Sequence, residues 1–568
     1  MKKVFLFVFS FLNALIICAD TYVWTGDVSG ENKWSTPANW DPNAPEEGFN
    51  QDDICVIGGE TSQAINLDID ANIQQIQVDN ANTTLNLGGK RMEFSSEVAN
   101  PIQLGGGNFV GPLNVVISNG TIRTLTTTKK EQLFFHDGAK NSFSTLLFDN
   151  VVFTNDNVVS FESESTNIIR NSKWYLSSVD INTFLYIGNK KTSGTEVVFE
   201  GPQTEALMNT KGGSVCLCEN ATLVVSNKAS VVVSAGILDF NKSGCTIIVD
   251  DGSYTQGGSG FQFNVGGKLI VKNNGSFTCN MLIPNKKSTG THDTTNFIIR
   301  VENGGSFLME GYHVPFNGID GYGGYKFIVD GEESQMSFKH NKTERYITFA
   351  CSNNLIEVKN QGLFNLPRYN KATNQIFNLK SMNNCLKLDN GRMNIGYSYA
   401  SIGDEGTNNV LSLANASTID ISQKCSFVIG RGDYSTGNEL QISGEGNKIN
   451  LTDDSNFCAS NSSVVAFVLT ENMTGDEPML EFASTSSGRI VLDGFTAAKI
   501  DDTSLREAGE KIEVMLLKIP TEKFDGASLT SILEAAAGDY GKINRVVDET
   551  HTYFMYKMVD PGLTLLIR

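Results

Sequence analysis

The chain has 568 residues, of which 40% are hydrophobic and only 19% charged, and its 44 basic and 63 acidic side chains give a net charge of -19. This acidic balance argues against nucleic acid and anionic membrane surfaces as partners, and it favours solubility outside the cell. With 54 Gly and only 12 Pro, the composition is typical of a β-rich chain with many tight corners.

The first 19 residues have the pattern of a signal peptide. Lys2 and Lys3 precede an apolar run over Val4–Ile17, and Ala19 provides a small residue for cleavage. The run is too short to cross a membrane comfortably, and no later stretch is apolar enough to do so. We therefore expect residues 1–19 to be removed, which gives a secreted or cell-surface protein without a transmembrane segment. Lipid attachment at Cys18 is the weaker alternative, because the residue before it is large where a small one is expected.

Three of the four tryptophans fall in the next segment, at Trp24, Trp34 and Trp40. The open end of a stack of strands is a sheet edge that invites aggregation. We therefore interpret residues 20–60 as an N-terminal cap built around these three rings. The alternative is a platform of exposed aromatic rings that binds sugars.

The same segment resembles the opening of secreted bacterial proteins of the autotransporter-passenger type. In those proteins a W-x-G motif, a later Trp, and Asn-Trp followed by Pro and Asp precede a parallel β-helix, so the resemblance implies this fold. Here the matching residues are Trp24, Gly26, Trp34, Asn39, Trp40, Pro45 and Asp53. The chain departs from the family at its C-terminus, where too few residues remain for a membrane barrel.

From Thr222 to Leu451 one phrase recurs: a short run of β-branched or leucine residues, a turn of Asn, Asp or Gly, and a further apolar residue. The copies align on nine anchor residues, which are Val225, Val249, Val271, Val301, Val329, Val358, Leu388, Leu413 and Ile442. Their spacings of 22 to 30 residues are typical of a stacked solenoid. We therefore predict an all-β fold in which residues 61–495 form a right-handed parallel β-helix.

One copy of the phrase is too short to bury a face of its own, so it requires a neighbour above and below. Stacking equivalent strands about 4.8 Å apart completes the backbone hydrogen bonds and places like residues over one another. The residue six positions after the anchor is then predicted to build one apolar column inside the coil. Its members are Val231, Phe277, Phe307, Phe364 and Ile419.

The residue directly after each anchor is predicted to form a charged column along one edge of the coil. Within this column Glu302 and Asp330 are neighbours about 5 Å apart, a separation compatible with a retaining glycosidase pair or a calcium site. We take these two as the candidate binding residues. The simpler interpretation is structural, because acidic residues stabilise turns and interspersed lysines neutralise the column. The column consists of Asp250, Lys272, Glu302, Asp330, Lys359 and Asp389.

Neither the cysteines nor the histidines form a recognisable site. Nine cysteines follow Cys18, each in strand-like sequence, which favours small buried residues; one or two disulfides between neighbouring rungs are the alternative. The five histidines are scattered and match no nucleophile or metal motif. We therefore assign no catalytic residue, no metal site and no cofactor.

The repeat ends before residues 496–568, which we interpret as a C-terminal cap. The sequence EVMLLKI predicts a strand, and SLTSILEAAAG over 528–538 predicts a helix that stops at Gly538. Two further β segments, RVVDETHTYFMYKMV and GLTLLIR, follow. Such a small α/β unit would cover the last rung of the stack.

Two classes of function are compatible with this sequence. The first is a non-catalytic secreted or cell-surface β-solenoid, adhesin-like or structural, whose partner is an extracellular glycan or a host or matrix surface. It is favoured because apolar columns are present while no catalytic constellation is recognisable. The alternative is a carbohydrate-active β-helix enzyme, a polysaccharide lyase or glycoside hydrolase. The tripeptide Arg431-Gly432-Asp433, which integrins read, falls at a predicted exposed corner, where chance is the plainer explanation.

Overall fold

The computed structural model shows an all-β protein whose strands stack in parallel as the rungs of a solenoid. The predicted parallel solenoid is confirmed, while the right-handed sense of its coil stays a prediction. The predicted signal peptide, residues 1–19, lies outside the described residues. The structure describes residues 20–26, 32–46, 48–59, 62–94, 100–105, 111–124, 132–134, 143–156, 158–162, 164–177, 183–188, 194–209, 214–263, 266–284, 296–311, 314–316, 323–339, 344–368, 374–460, 462–485, 487–508 and 512–559.

Each rung carries three strands in chain order, and these build three faces along the stack. Two long strands, Asn114–Thr124 and Thr145–Asn155, pass through both the first and the second face. The other strands of the first face are Gln63–Asn66, Asn82–Asn86, Thr166–Arg170, Glu196–Glu200, Thr222–Ser226, Thr246–Asp250, Lys268–Lys272, Ile298–Glu302, Lys326–Asp330, Leu355–Lys359, Cys385–Asp389, Val410–Ala414, Asn438–Ser443, Ser463–Val468 and Phe495–Asp501.

The second face follows after a tight corner in each rung. Its strands are Ala71–Ile73, Arg91–Phe94, Lys173–Leu176, Glu205–Met208, Ser230–Val233, Ser253–Gln256, Ser276–Cys279, Ser306–Met309, Gln335–Phe338, Leu363–Leu366, Arg392–Ile395, Thr418–Ile421, Asn447–Leu451, Leu480–Ser484 and Glu513–Pro520.

The third face completes the rung, and the recurring phrase does not include it. Its strands fall in three sheets. They are Thr21–Trp24, Trp40–Asp41, Ile54–Ile57, Gln75–Val78 and Ile102–Leu104; then Gln132–Phe134, Val159–Phe161, Thr183–Ile187, Ser214–Leu217, Ile237–Phe240, Gly260–Phe263 and Leu282–Pro284; and finally Val314–Phe316, Glu344–Phe349, Asn374–Leu379, Tyr399–Asp404, Ser426–Arg431, Asn456–Ala459, Ile490–Val491 and Phe524–Asp525.

The register confirms the predicted anchor column. Each anchor is the partner of the next one, from Val225 through to Ile442, and all nine are fully buried. The predicted apolar column, which lies on the second face, is confirmed as well. Tyr254, Met336 and Met393 belong to the same column. They were not predicted because they lie five or seven residues after their anchors rather than six.

Asparagines hold two corners of the rung in different ways. At the corner after the first face, Asn273, Asn303 and Asn360 adopt left-handed backbone with φ of 51° to 52°, a conformation that Asn tolerates better than most residues. At the corner before the first face, Asn354 and Asn384 are buried. The backbone N–H of Asn354 donates to Oδ1 of Asn384 at 3.0 Å, and its Nδ2 donates to the same oxygen at 2.8 Å.

The tryptophans at the front of the stack are packed inside it. Trp34 and Trp40 are 0% and 1% exposed, with ring centroids 4.8 Å apart, and Nε1 of Trp40 donates to the carbonyl oxygen of Trp34 at 2.9 Å. Trp24 is also buried and meets Trp40 edge to face. An exposed sugar-binding platform, the alternative drawn from the sequence, is therefore wrong, because these rings cover one another. A short 3-10 helix, Pro37–Asn39, lies between them.

At the back of the stack the pairing changes from parallel to antiparallel. His551–Met558 pairs antiparallel with Glu513–Pro520, and Gly541–Val547 then pairs antiparallel with His551–Met558. The predicted helix is present as Leu529–Ala537, with Leu529 and Leu533 buried. The other helices among the described residues are Thr503–Ala508 and the 3-10 segments Thr521–Lys523 and Gly538–Tyr540. The predicted segment GLTLLIR lies outside the described residues. In the part of the chain described, no helix has the length and apolar character needed to cross a bilayer.

Candidate functional site

The charged column follows the outer edge of the first face as the sequence predicts. Its six residues, Asp250 to Asp389, are register partners in consecutive rungs. Opposite charges in this column pair directly: Lys272 Nζ lies 3.1 Å from Asp250 Oδ2, and Lys359 Nζ lies 3.2 Å from Asp330 Oδ2. The column therefore connects neighbouring rungs through ion pairs as well as through the backbone.

Glu302 and Asp330 are neighbours in this register, and both contact the guanidinium group of Arg300. Nε of Arg300 lies 2.6 Å from Oε2 of Glu302, and its Nη2 lies 3.7 Å from Oδ2 of Asp330. Asp330 also accepts a hydrogen bond on Oδ1 from Nδ2 of Asn360 at 2.8 Å. Partial burial acts to raise the pKa of Asp330, but the hydrogen bonds from Asn360 and Lys359 and the charges of Lys359 and Arg300 hold that pKa below its ordinary value. A role for this pair in binding stays a prediction.

A cleft of about 680 Å³ opens on the outer surface of the third face near the back of the stack. We call it the third-face cleft. Its floor is formed by three partly exposed side chains in consecutive rungs, Val428, Cys458 and Val491. Burial raises the pKa of the Cys458 thiol, so this thiol contributes an uncharged, weakly polar surface.

Polar side chains stand around this floor. Arg431 is exposed, and its guanidinium carbon lies 4.8 Å from the centre of the Tyr399 ring, a cation–π contact. Its register partner Asp404 is instead 3.7 Å from Lys380 Nζ. Further along the rim, Asp493 accepts two hydrogen bonds at 3.1 Å on Oδ1 from the backbone N–H and the hydroxyl of Ser528.

Little in the sequence pointed to the third-face cleft. Arg431 stood out only as part of the Arg-Gly-Asp tripeptide, and the structure places its side chain against Tyr399, while Gly432 and Asp433 remain exposed. Tyr399 and Asp493 carried no signal at all, because the strands of the third face do not belong to the recurring phrase.

A second unforeseen group is Asp239, on the middle of the third face. It lies in register between Cys216 and Gln262. Its Oδ1 is buried and has no hydrogen-bond partner among the described residues. Burial raises the pKa of Asp239 to about 6. The Asp239 carboxyl therefore loses its proton at a higher pH in the folded chain than in the unfolded chain, and its ionised form lowers the stability of the folded state.

The thiols and histidines add no metal site to the described part of the chain. All nine cysteines after Cys18 are free thiols; seven are buried, and Cys385 and Cys458 are partly exposed. Among the described residues, no three or more His, Cys, Asp or Glu side chains are placed to hold a metal ion. Four of the five histidines, His136, His292, His313 and His340, lie outside the described residues.

Comparison with known proteins gives little further information. No protein-family model matches the chain, and no curated protein matches it. Among solved structures, the chain is similar to a crystal structure described as a TibC-catalysed, hyper-glycosylated TibA fragment, with 13% sequence identity and a TM-score of 0.20. The match covers 62% of this chain and 98% of that chain. A likeness of this strength carries no argument, so the proposals below depend on this chain's own residues.

Proposed function

We propose that the chain is a non-catalytic β-solenoid that works outside the cell as an adhesin-like or structural protein. The observation that carries this proposal is the state of its most prominent acidic pair. Glu302 and Asp330 are ion-paired with Arg300, and Asp330 also with Lys359. A retaining glycosidase needs one carboxyl that holds a proton and one that attacks the sugar. A carboxylate whose pKa is lowered by hydrogen bonds from Asn360 and Lys359 and by the charges of Lys359 and Arg300 suits a structural tie instead.

The inner columns support the role of a scaffold. Fully buried anchors run through consecutive rungs of the first face, and aromatic rings stack on the second face. Each added rung extends the body by about 4.8 Å without a new core. Such a body suits a protein that holds a binding surface in a fixed, extended arrangement.

Three features of the sequence support an extracellular location. Residues 1–19 have the pattern of a signal peptide, the net charge of -19 favours solubility, and the tryptophan segment resembles autotransporter passengers. On this proposal the partner is an extracellular glycan or a host or matrix surface, and the protein reaches it after export. The route of export and any attachment to the cell belong to the same proposal.

The alternative of a carbohydrate-active enzyme is supported by one observation, the third-face cleft. Among the described residues that line it, Asp493 is the single carboxylate. Hydrolysis of a glycosidic bond generally requires two carboxyl groups at a defined separation. The described lining therefore suits binding of a ligand better than cleavage.

The proposal is tested with the purified chain lacking residues 1–19. The protein is applied to plates coated with a panel of polysaccharides and matrix proteins, and both retention on the plate and release of new reducing ends are measured. We expect retention on at least one surface and no release of products. Release of products that disappears in Glu302→Gln, Asp330→Asn or Asp493→Asn, but not in the exposed control Asp433→Asn, would establish the enzyme instead. A protein retained on no surface would contradict the adhesin-like role.

A further inference from the structure

We propose that the third-face cleft is a saccharide-binding site that accepts about two sugar units, with Arg431 and Asp493 as the polar ends of its rim. This inference rests on the proposed function and specifies the ligand class and the place of binding. Nothing in the recurring phrase or in the charged column points to this part of the molecule.

The dimensions of the cleft come from the stacking of the rungs. Val428, Cys458 and Val491 are register partners in consecutive strands, so the floor extends over about 10 Å. Arg431 stands at the first of these rungs, Ser460 at the second and Asp493 at the third. The rim therefore offers at least one polar side chain for each rung along the length of a disaccharide.

The chemistry of the rim suits hydroxyl groups. A guanidinium group only donates hydrogen bonds, a carboxylate only accepts them, and a serine hydroxyl does both. Sugar hydroxyls also do both, so one ring satisfies Arg431 at one end while another satisfies Asp493 at the other. Oδ1 of Asp493 is fixed by Ser528, and no described residue donates to its Oδ2. The ligand then meets a carboxylate that is already oriented.

The floor suits the other side of a sugar ring. Val428 and Val491 present methyl groups, and the Cys458 thiol between them is uncharged because burial raises its pKa. The C–H face of a sugar ring loses little by leaving water for such a surface. Pockets that bind small ligands commonly combine an apolar lining with a few converging polar groups.

Two other ligand classes fit less well. An extended peptide gains affinity by adding a strand to an open sheet edge, whereas the central strand of this floor, Asn456–Ala459, is paired with a strand on each side. A polyanion would face Asp493 in the lining, and next to Arg431 it would approach Asp404, its register partner, and Glu405, whose backbone N–H donates to the carbonyl oxygen of Arg431. A neutral saccharide avoids this repulsion.

The experiment is saturation-transfer difference NMR on the purified chain lacking residues 1–19, with cellobiose, maltose, lactose and N,N′-diacetylchitobiose as probes. We compare the wild type with Arg431→Gln and Asp493→Asn. The matched control is Arg392→Gln, an exposed arginine on the second face whose guanidinium donates to the carbonyl oxygen of Gln361. Melting temperatures of all four proteins show whether each variant is folded.

The expected result is transfer to at least one probe. The affinity for that probe should fall roughly tenfold or more in either cleft variant, because each variant loses one hydrogen bond to a charged group. It should stay unchanged in Arg392→Gln. A second readout is the rate at which iodoacetamide alkylates Cys458 in the floor. We expect the bound probe to slow this reaction, and to slow the alkylation of no other thiol by a larger factor. This readout needs only the wild type, so it decides the question even where a variant fails to fold.

Several outcomes of the NMR and alkylation experiments would overturn the inference. They are no transfer to any of the four probes, equal affinity in wild type and both cleft variants, and alkylation of Cys458 that is unaffected by a saturating probe. If the wild type adheres to a coated surface while the cleft variants adhere equally well, the proposed function stands and the cleft is not its site. If an unstructured peptide slows the alkylation of Cys458 and the sugars do not, the assignment of a saccharide as the ligand is wrong.

Discussion

Phe277 and Phe307 lie directly over one another in adjacent rungs of the second face, with ring centroids 5.8 Å apart and ring planes within 6°. Both are fully buried. Tyr254 extends the same stack in the other direction, 5.1 Å from Phe277. Like residues on like thus supply in the core the burial that a single rung lacks.

This stack makes Phe307 a sensitive position. Phe307→Ala removes a ring from a closed core and leaves a cavity, so we expect the free energy of unfolding to fall by about 3–5 kcal/mol. A cycle with Phe277→Ala should show a coupling of about 0.5–1.5 kcal/mol between the two rings. Urea denaturation followed by circular dichroism measures both. Phe143→Ala, at a ring that is 78% exposed, is the control and should change stability by no more than about 0.5 kcal/mol. Additive losses in the cycle would show that the rings are buried independently.

The stacked strands of the first and second faces could be predicted because residues of the same type recur at the same structural positions in successive rungs. Val271 and Val301 occupy the same inward position, and the left-handed Asn corner follows each at the same distance. The third face escaped prediction. Its strands come after connections of variable length, so they keep no fixed distance from an anchor: the register partners Ile376 and Tyr399 lie 18 and 11 residues after the anchors Val358 and Leu388.

The same limit applies to the candidate site. The adjacency of Glu302 and Asp330 followed from the register alone. Neutralisation by interspersed lysines was predicted too, and Lys359 does pair with Asp330. The contribution of Arg300 was not predicted, because Arg300 occupies an outward position where the adjacent rungs carry Ile270 and Ile328. In the sequence, an arginine between two isoleucines at this position gives no sign of an ion pair. In the folded chain it lies beside both carboxylates.

The buried asparagine corner should matter more than its exposed neighbour. Asn384→Ala removes the oxygen that accepts from both the backbone N–H and Nδ2 of Asn354. The backbone N–H of Asn354 then loses its acceptor, while Nδ2 still donates to the carbonyl oxygen of Cys351 at 2.8 Å, so we expect a loss of roughly 1–3 kcal/mol. Asn383→Gly is the matched control, since Asn383 is exposed and its φ of 56° suits glycine. Thermal and urea unfolding measure both variants. Equal stabilities would show that water replaces the lost oxygen.

The ion pairs of Glu302 and Asp330 should contribute weakly to stability, and dissolved salt should screen them. Because Arg300 and Lys359 lie at the surface and are partly exposed, Glu302→Gln with Asp330→Asn should cost less than about 1 kcal/mol. The difference from wild type should shrink further as salt rises from about 0.05 M to about 1 M. Retention on coated plates should be unchanged. Loss of retention with stability intact would return these two residues to a binding role.

For Asp239, removal of the negative charge should have the opposite effect and stabilise the folded chain. Burial raises its pKa from 3.8 to about 6 in the folded chain, so between these values the folded state binds more protons than the unfolded state. Stability therefore falls as the pH rises through this window, and the whole penalty is present above about pH 7.

Asp239→Asn removes this penalty, because the amide stays neutral at every pH. We expect the variant to be more stable than wild type at pH 8 by about 1–3 kcal/mol, and close to wild type at pH 4. Asp433→Asn, at an exposed turn, carries the same change in charge and should alter stability little at either pH. Urea denaturation at both pH values measures all three proteins. A variant that is less stable than wild type at pH 8 would mean that the charged carboxylate of Asp239 is stabilised in the folded chain, and that a cation or donor reaches its Oδ1.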